Sequence, residues 1–423
     1  MLHQNTTMFL IICSALVLFM TPGLAFFYGG LVRASSVVSM MMMSFGSLAL
    51  VGTMWVVFGY AISFGTAADP GFIGIDGVFG IHPADVFLQK HATDAVASGD
   101  GFDMAFAGFQ GTFAVITVAL ISGAIADRVK FGSWMVFAAL WALLVYFPVA
   151  GWVFNLRSGW LVTKVGLMDF AGGTVVEIAS GASALALALV VGKRFGFTKG
   201  MHAPHNVPLV LIGVGILWFG WFGFNAGSEL AADGTASVAF VNTLAAGVGG
   251  MLSWALYERI GHGKPTSIGA ASGAVAGMVA ITPSCAYLDP IWALVLGLAV
   301  GVICGLAIEL KYLLGFDDSL DVVGIHLVGG IIGTLWIGLL GHDLTGRVVG
   351  LFLGGGFDQL WRQAFAVLVI GGYSFAISFG VGKLLQKTIG MRVRSTDEIA
   401  GIDSVMHGES AYSAADPRWS WRG

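Results

Sequence analysis

Two ionisable residues lie deep within long apolar stretches of this chain. Glu177 lies in GGTVVEIASGASALALALVV, and His326 lies in DVVGIHLVGGIIGTLWIGLL. A buried carboxylate or imidazole in hydrocarbon is unfavourable unless it is paired or faces a cavity, so such residues mark functional sites. If the two side chains meet, they can hold one proton as Glu⁻/His⁺ or as the neutral pair, with coupled titrations. The competing interpretation is that each is a hydrogen-bonded packing residue of its helix.

The composition indicates an integral membrane protein. Of the 423 residues, 57% are hydrophobic and only 10% are charged, whereas soluble domains carry about 25% charged residues. The net charge of −4 gives no indication of a nucleic-acid partner. Cys13, Cys285 and Cys304 show neither a CxxC spacing nor a metal-ligand grouping. We therefore expect no metal site, no cofactor and no enzymatic activity.

Apolar runs long enough to cross about 30 Å of hydrocarbon predict an all-α fold with eleven transmembrane helices. The first run has no Lys or Arg before it and no small-residue cleavage site after it, which favours a retained helix over a signal peptide. The run at 267–283 is short and rich in Ala and Gly. The predicted runs are 8–31, 37–64, 104–125, 131–154, 170–192, 207–227, 236–257, 267–283, 289–314, 321–341 and 363–389.

The distribution of basic residues predicts the orientation in the membrane. With the N-terminus outside, fifteen of the 20 Lys and Arg residues fall in inner loops or the tail. This bias follows the positive-inside rule and predicts that the C-terminus is cytoplasmic. The expected location is the cytoplasmic (inner) membrane. The outer loops 66–102 and 228–235 are acidic, which would mildly concentrate cations. The five outer basic residues are Lys90, Arg157, Lys164, Arg347 and Arg362.

The fifth and tenth runs share a pattern that predicts an internal repeat. Each begins close to an aspartate, Asp169 or Asp321, and each then carries its buried ionisable residue in a Gly-rich stretch. Successive five-helix halves have opposite topology, so we predict inverted repeats with the ionisable pair at their midplane interface. Asp is also a preferred helix N-cap, which predicts a capping role for both aspartates. The predicted repeats are about 8–192 and 207–341, with about 363–389 as one peripheral helix.

Several motifs resemble those of the ammonium transporter family, specifically the Amt/Mep branch. They are FFYGGLVR, FQGTFAVITVALISGAIADR, DFAGGTVV, PHNVPLV, GWFGFNAGS, FVNT, SGAVAGMVAITPSCAY, DVVGIHLVGGIIG and, in the tail, HGESAY. The resemblance covers essentially the whole chain. It implies an eleven-helix transporter domain over 1–390 with one pore per protomer, assembled as a homotrimer in membrane lipid. It also implies a cytoplasmic tail over 391–423 that packs under the neighbouring subunit.

Aromatic and hydroxyl groups in one motif suit a desolvated ammonium ion. Trp221, Phe224 and Ser228 are three and four residues apart on one helical face, and cation–π faces can replace part of the ion's water shell. The resemblance implies an outer ammonium site at Ser228 and Phe113. Phe154 occupies the position where the family usually has an indole. The neighbouring Trp152 and Trp160 could serve instead, or they could be interfacial belt residues.

The resemblance also implies a pore blocked by two stacked rings, Phe113 and Phe224. Such a constriction rejects hydrated Na⁺ and K⁺, whereas ammonium can release a proton and cross as ammonia. In most members, two histidines follow at the midplane. Here His326 matches the second position, but Glu177 occupies the first, so the proton step would differ. Asp169 would cap the backbone of 172–174 and support the outer site without touching the ligand.

The expected function is electrogenic ammonium uptake, with methylammonium as an analogue substrate. Two alternatives stay open. The first is an ammonium sensor with little transport that signals through its tail or a partner. The second is a passive channel for ammonia or carbon dioxide, which would carry no current. The resemblance also raises a PII-type regulatory protein as a partner at the cytoplasmic face.

Overall fold

The structure is a computed structural model that describes residues 2–198 and 203–412, with side chains from residue 5 onward. Two parts of the sequence predictions fall outside these residues. The first is Lys199, one of the fifteen basic residues predicted to lie inside. The second is the last part of the predicted tail, 413–423, which contains two more of them, Arg418 and Arg422.

Helices dominate the described residues, and ten of them are long and apolar enough to cross a membrane. They correspond to ten of the eleven predicted runs, while the eighth run forms a shorter apolar helix. The span count from the structure is therefore ten, with one shorter helix beside them. In chain order the helices are α1 Asn5–Leu31, α2 Val37–Phe64, α3 Phe102–Ile125, α4 Phe131–Phe154, α5 Gly173–Val191, α6 Val207–Gly227, α7 Gly234–His262, α8 Ser267–Ile281, α9 Pro290–Leu314, α10 Val323–Leu340 and α11 Asp358–Thr388.

Glycines let the first helix of each predicted half approach the other closely. A Cβ on Gly23 of α1 would lie 2.7 Å from the Ile216 side chain of α6, and one on Gly213 of α6 would clash with the Phe27 backbone. Backbone contact through small residues is the usual way that membrane helices pack, because lipid provides no hydrophobic drive. The abundant Gly in these segments therefore serves helix packing around the core.

Buried ion pairs join three inter-helix segments at one end of the bundle, which we call the tail end. Arg194, after α5, donates to both carboxylate oxygens of Asp317, at 2.9 Å each, just before α10. Arg128, after α3, is fully buried and donates to the Ala124 carbonyl at 3.0 Å. Burial disfavours the charged form of Asp317, but hydrogen bonds from Arg194 and the charge of Arg128 hold its pKa below the ordinary value. These pairs fix the ends of α3, α5 and α10 relative to one another.

The described part of the tail packs on its own chain at this end. Two short helices, Ser395–Ala400 and Ile402–Met406, form it. The Asp403 carboxylate accepts hydrogen bonds from the first amides of α2, Val38 at 3.0 Å and Ser39 at 2.8 Å. The Tyr412 hydroxyl lies 2.8 Å from His205 Nε2. The tail thus closes against α2 and the segment before α6.

The opposite end, which we call the loop end, carries the acidic loop 66–102. The loop holds an antiparallel hairpin, β1 Ile73–Ile75 with β2 Phe79–Ile81, in which Ile73 pairs with Ile81. A short helix, Gln89–Ser98, follows. This hairpin is the one β-sheet in the described residues. The all-α prediction did not include it.

A His–Asp–His cluster ties the acidic loop together. The Asp85 carboxylate lies 2.9 Å from His82 Nδ1 and 3.0 Å from His91 Nε2, while His82 Nε2 lies 3.0 Å from the Pro70 carbonyl. Burial disfavours the charged His82 ring, yet the Pro70 and Asp85 hydrogen bonds hold its pKa above the ordinary value. Burial likewise opposes ionisation of Asp85, but hydrogen bonds from His91 and His82 hold its pKa below the ordinary value.

These shifts predict that the loop is held most tightly at mildly acidic pH. A raised His82 pKa contributes stability below about 6.5, the unfolded value, which is lost as pH rises through the folded pKa. A lowered Asp85 pKa contributes stability above about 3.9, which is lost as pH falls through its folded pKa. We expect hydrogen exchange of residues 66–102, corrected for intrinsic rates, to be slower at pH 6 than at pH 8.

The matched variants for this prediction are His82→Gln and His342→Gln. The first should remove most of the pH dependence within the loop, while the second changes a histidine of another segment and should leave it intact. An identical exchange ratio in wild type and His82→Gln would contradict the prediction.

Candidate functional site

The structure brings the two buried ionisable residues into direct contact. His326 Nδ1 lies 2.6 Å from Glu177 Oε2, and the residues are 4% and 1% exposed. Within the described residues, this is the one hydrogen bond that either side chain makes. Each polar group therefore compensates the other for burial. Either Nδ1–H donates to a carboxylate, or a protonated carboxyl donates to Nδ1, so one proton can reside on either residue.

Both residues lie in π-helical first turns. Gly173–Ile178 begins α5 and contains Glu177, and Val323–Leu327 begins α10 and contains His326. π-turns are rare and are frequently found at functional sites. The same local device thus positions the two partners from opposite ends of the bundle.

Buried carboxylates hold both turns in place. Asp169 accepts hydrogen bonds from the amides of Gly172 at 2.9 Å, Gly173 at 2.7 Å and Thr174 at 2.8 Å. At the start of α10, the Val323 amide donates to Asp318 at 2.7 Å. Each carboxylate satisfies helix-start donors that would otherwise be buried without partners.

The capping carboxylate of α10 is therefore Asp318 and not Asp321, which the sequence pattern indicated. Asp321 instead forms an ion pair with Lys311 at the end of α9. Its backbone has a φ of 64°, in the left-handed region. This conformation turns the chain sharply before α10, so the earlier aspartate is the one that faces the first amides.

The pair lines a small apolar cavity of about 10 Å³. Its volume is close to the minimum of about 10–15 Å³ that one water needs. Glu177, His326 and the Trp221 indole are the polar groups among otherwise apolar walls. The other lining residues are Met20, Leu24, Phe27, Ile116, Leu120, Val176, Leu217, Phe224 and Val275.

Two stacked phenyl rings close this cavity on the side of the loop end. Phe113 and Phe224 have centroids 4.0 Å apart and planes 18° apart, and both are buried. Phe109, one turn before Phe113 on α3, packs on it at 4.8 Å. Sequence reasoning missed Phe109, although its spacing of four residues in FQGTF puts it on the same face.

The remaining predicted site residues fall on both sides of the stack. Ser228 ends α6, one turn beyond Phe224, and its hydroxyl donates to the Phe224 carbonyl at 2.9 Å. Phe154 packs its ring on Phe113 at 6.2 Å, also toward the loop end. Trp221 lies on the other side, in the small cavity, where its indole N–H donates to Thr282 at 2.9 Å. The three residues of the GWFGFNAGS face are thus divided by the stack.

The two neighbouring indoles, Trp152 and Trp160, make contacts at the loop end of the bundle. Trp152 donates from its indole N–H to the Val78 carbonyl at 2.5 Å, and Trp160 packs on it at 5.9 Å. Neither of them lines the larger cavity beyond the stack, which Phe154 and Leu230 do. Phe154 is thus the ring that borders both this outer cavity and the stack.

The described residues contain no group of three His, Cys, Asp or Glu side chains that could hold a metal ion. Their three cysteines are free and buried. The arrangement offers a pair of residues that can share a proton, a small apolar cavity beside it and two stacked aromatic rings.

Comparison with known proteins assigns the family. The model described as Ammonium Transporter Family matches residues 8–412. An ammonium transporter of Mycobacterium tuberculosis (strain ATCC 25618 / H37Rv) is 48% identical, over 97% of this chain and 90% of its own length. An ammonium transporter of Bacillus subtilis (strain 168) is 41% identical, over 97% of this chain and 99% of its own length.

Solved structures show the same fold. A protein described as Sensor Amt Protein superposes with a TM-score of 0.87 at 26% identity, covering 96% of this chain and 98% of that one. Candida albicans Mep2 superposes with a TM-score of 0.83 at 30% identity, covering 98% and 92%. A family match over nearly the whole length, with relatives as close as these, shows that this chain belongs to the ammonium transporter family.

Proposed function

We propose that this chain carries ammonium across the cytoplasmic membrane by separating it into ammonia and a proton. The observation that carries the proposal is the Glu177–His326 contact at 2.6 Å within an apolar cavity behind a closed aromatic stack. A packing role alone would not require both groups to line a cavity. A proton relay does require it, because the proton donor and acceptor must reach the passage.

The first step is recruitment of the cation at the loop end. Ser228, Phe113 and Phe154 would bind ammonium there, with the ring faces and the hydroxyl replacing part of its water shell. The Asp169 carboxylate, which caps the backbone of 172–174, would stabilise positive charge without contacting the ion. Because the Phe113–Phe224 stack has no room for a hydrated ion, Na⁺ and K⁺ are rejected.

The second step is proton transfer. Ammonium releases one proton and becomes ammonia, which crosses the apolar cavity and takes up a proton again on the inner side. The released proton passes by way of Glu177 and His326, whose bond allows either residue to hold it. One positive charge therefore crosses for each ammonia, so the transport is electrogenic.

The wider architecture is part of the same proposal. The short helix α8 would be the eleventh span, and the matched π-turns of α5 and α10 support inverted five-helix repeats within 1–390. The chain would form a homotrimer with one pore per protomer, its N-terminus outside and the tail of 391–423 inside. Methylammonium would be an analogue substrate, and a PII-type protein would dock at the tail end.

Charge movement distinguishes this proposal from its two alternatives. A passive ammonia channel would move ammonia without current. A sensor would bind ammonium with little transport, and the likeness to Sensor Amt Protein shows only that this fold accommodates such a role. Current and ammonium accumulation measured in the same proteoliposomes separate the three.

We predict that ammonium pulses evoke inward current in proteoliposomes and that Glu177→Ala reduces it at least tenfold. The alanine leaves His326 without its partner and removes the carboxyl that shares the proton. Glu177→His would pair two imidazoles instead of a carboxyl and an imidazole, and it should retain current with a changed pH dependence. Solid-supported-membrane electrophysiology provides the measurement.

Glu409→Ala is the matched control, because it removes an exposed carboxylate of the tail and should leave the current unchanged. Unchanged current in both Glu177 variants would contradict the relay role. Ammonia movement without any wild-type current would favour passive conduction.

We also predict that Asp169→Asn lowers both thermal stability and current. The asparagine can present its NH₂ group to backbone amides that now donate to a carboxylate. An unmade hydrogen bond of this kind costs about 1–3 kcal/mol. The melting temperature in detergent and the ammonium current measure the two effects, and Asp289→Asn, an exposed helix-start aspartate, is the control. Wild-type values of both quantities in Asp169→Asn would show that the cap is dispensable.

A further inference from the structure

A second, much larger cavity lies on the loop side of the stack. Its volume is about 580 Å³, compared with about 10 Å³ for the cavity at the buried pair. Phe154, which packs on Phe113 of the stack, lines it together with Leu230 and residues of the loop segment 69–91. A molecule in this outer cavity therefore stands directly in front of the closed passage.

Aromatic rings form one wall of the outer cavity. Tyr60 and Phe64 of α2 have centroids 5.2 Å apart, and Phe64 contacts Phe106 of α3 at 5.0 Å. Phe102, one turn before Phe106, extends the wall at 6.4 Å. A wall of this kind attracts a cation to its ring faces and accepts apolar substituents equally well.

The charges that line the cavity leave one carboxylate free. Asp69 is engaged by Arg157 through two hydrogen bonds of 2.8 and 2.9 Å, and Asp85 is engaged by its two histidines. Asp103, at the start of α3, forms no ion pair or hydrogen bond in the part of the chain that the structure describes, and it lines the cavity beside Phe102 and Phe106. Lys90 also faces the cavity but pairs with Asp94.

We propose that the outer cavity is a binding site for alkylammonium cations that are too large to enter the pore. The aromatic wall would hold the alkyl groups and the cationic centre, and Asp103 would balance the charge. A quaternary ammonium has no proton to release, so it can neither shed its charge nor pass the stack. Its occupancy would block ammonium from the outside. Binding itself does not depend on the transport mechanism proposed above, although the block does.

The test uses choline and its uncharged carbon analogue 3,3-dimethylbutan-1-ol as a matched pair of probes. We expect isothermal titration of the purified, full-length protein to show millimolar binding of choline and none of the alcohol. Asp103→Asn and Phe106→Leu should each weaken choline binding about threefold to tenfold. The leucine keeps the wall apolar but removes the ring face.

Asp289→Asn is the charge-matched control, because it removes an exposed carboxylate that does not line the cavity. Choline binding that falls equally in this control would indicate bulk surface charge and overturn the site. Equal binding of choline and the alcohol, or no binding of choline, would overturn it as well. Ammonium current measured with and without external choline then tests the block separately, so a protein that binds choline but carries no current contradicts only the transport proposal.

Discussion

The rest of the structure depends on one hydrogen bond, the contact of 2.6 Å between Glu177 and His326. Either side chain alone would be an uncompensated polar group in an apolar interior, which is strongly unfavourable. Together they need one proton between them, and the proton can lie on either residue. To form this bond, α5 and α10 each begin with a π-turn that contains one of the two residues. The same requirement explains the buried caps, since a helix start at this depth has no water to satisfy its amides.

The caps in turn connect the pair to the surface. Asp169 accepts from three successive amides before Glu177, while Asp318 lies beside Asp317, which Arg194 clamps to the end of α5. The buried ion pairs at the tail end therefore fix the start of α10 relative to the end of α5. Removing one partner of such a pair leaves an unpaired buried charge, so the geometry of the proton pair is coupled to this clamp.

The helices and the pairing of Glu177 with His326 could be predicted from the sequence. The lengths of the apolar runs indicate the spans, and an ionisable residue within such a run needs a partner. The sequence could not resolve depth along a helix. Trp221 and Ser228 share a helical face, but they are seven positions apart, which is about 10 Å along the helix axis. The Phe224 ring, which stacks on Phe113, lies between them. The sequence pattern also assigned the α10 cap to Asp321, since the left-handed backbone that moves the cap to Asp318 has no signature in a non-glycine residue. Sequence reasoning likewise could not tell that Trp152 donates to the Val78 carbonyl beside the loop hairpin, whereas Phe154 lines the outer cavity.

Under the proposed mechanism, the order of the compartments would make a tight cage for ammonium unnecessary. The roomy outer cavity would favour cations through Asp103 and its aromatic rings, so it would select by charge and discriminate weakly by size. The Phe113–Phe224 stack would then exclude hydrated ions and bulky cations. Behind it, ammonia would cross the small cavity, and the Glu177–His326 pair that lines the cavity would carry the released proton. Potassium would satisfy the first condition and fail the second, a quaternary ammonium would do the same, and only a cation that can release a proton would satisfy all three. In the proposed mechanism, the Glu/His pair would therefore handle only the proton of a cation that the earlier compartments have already selected.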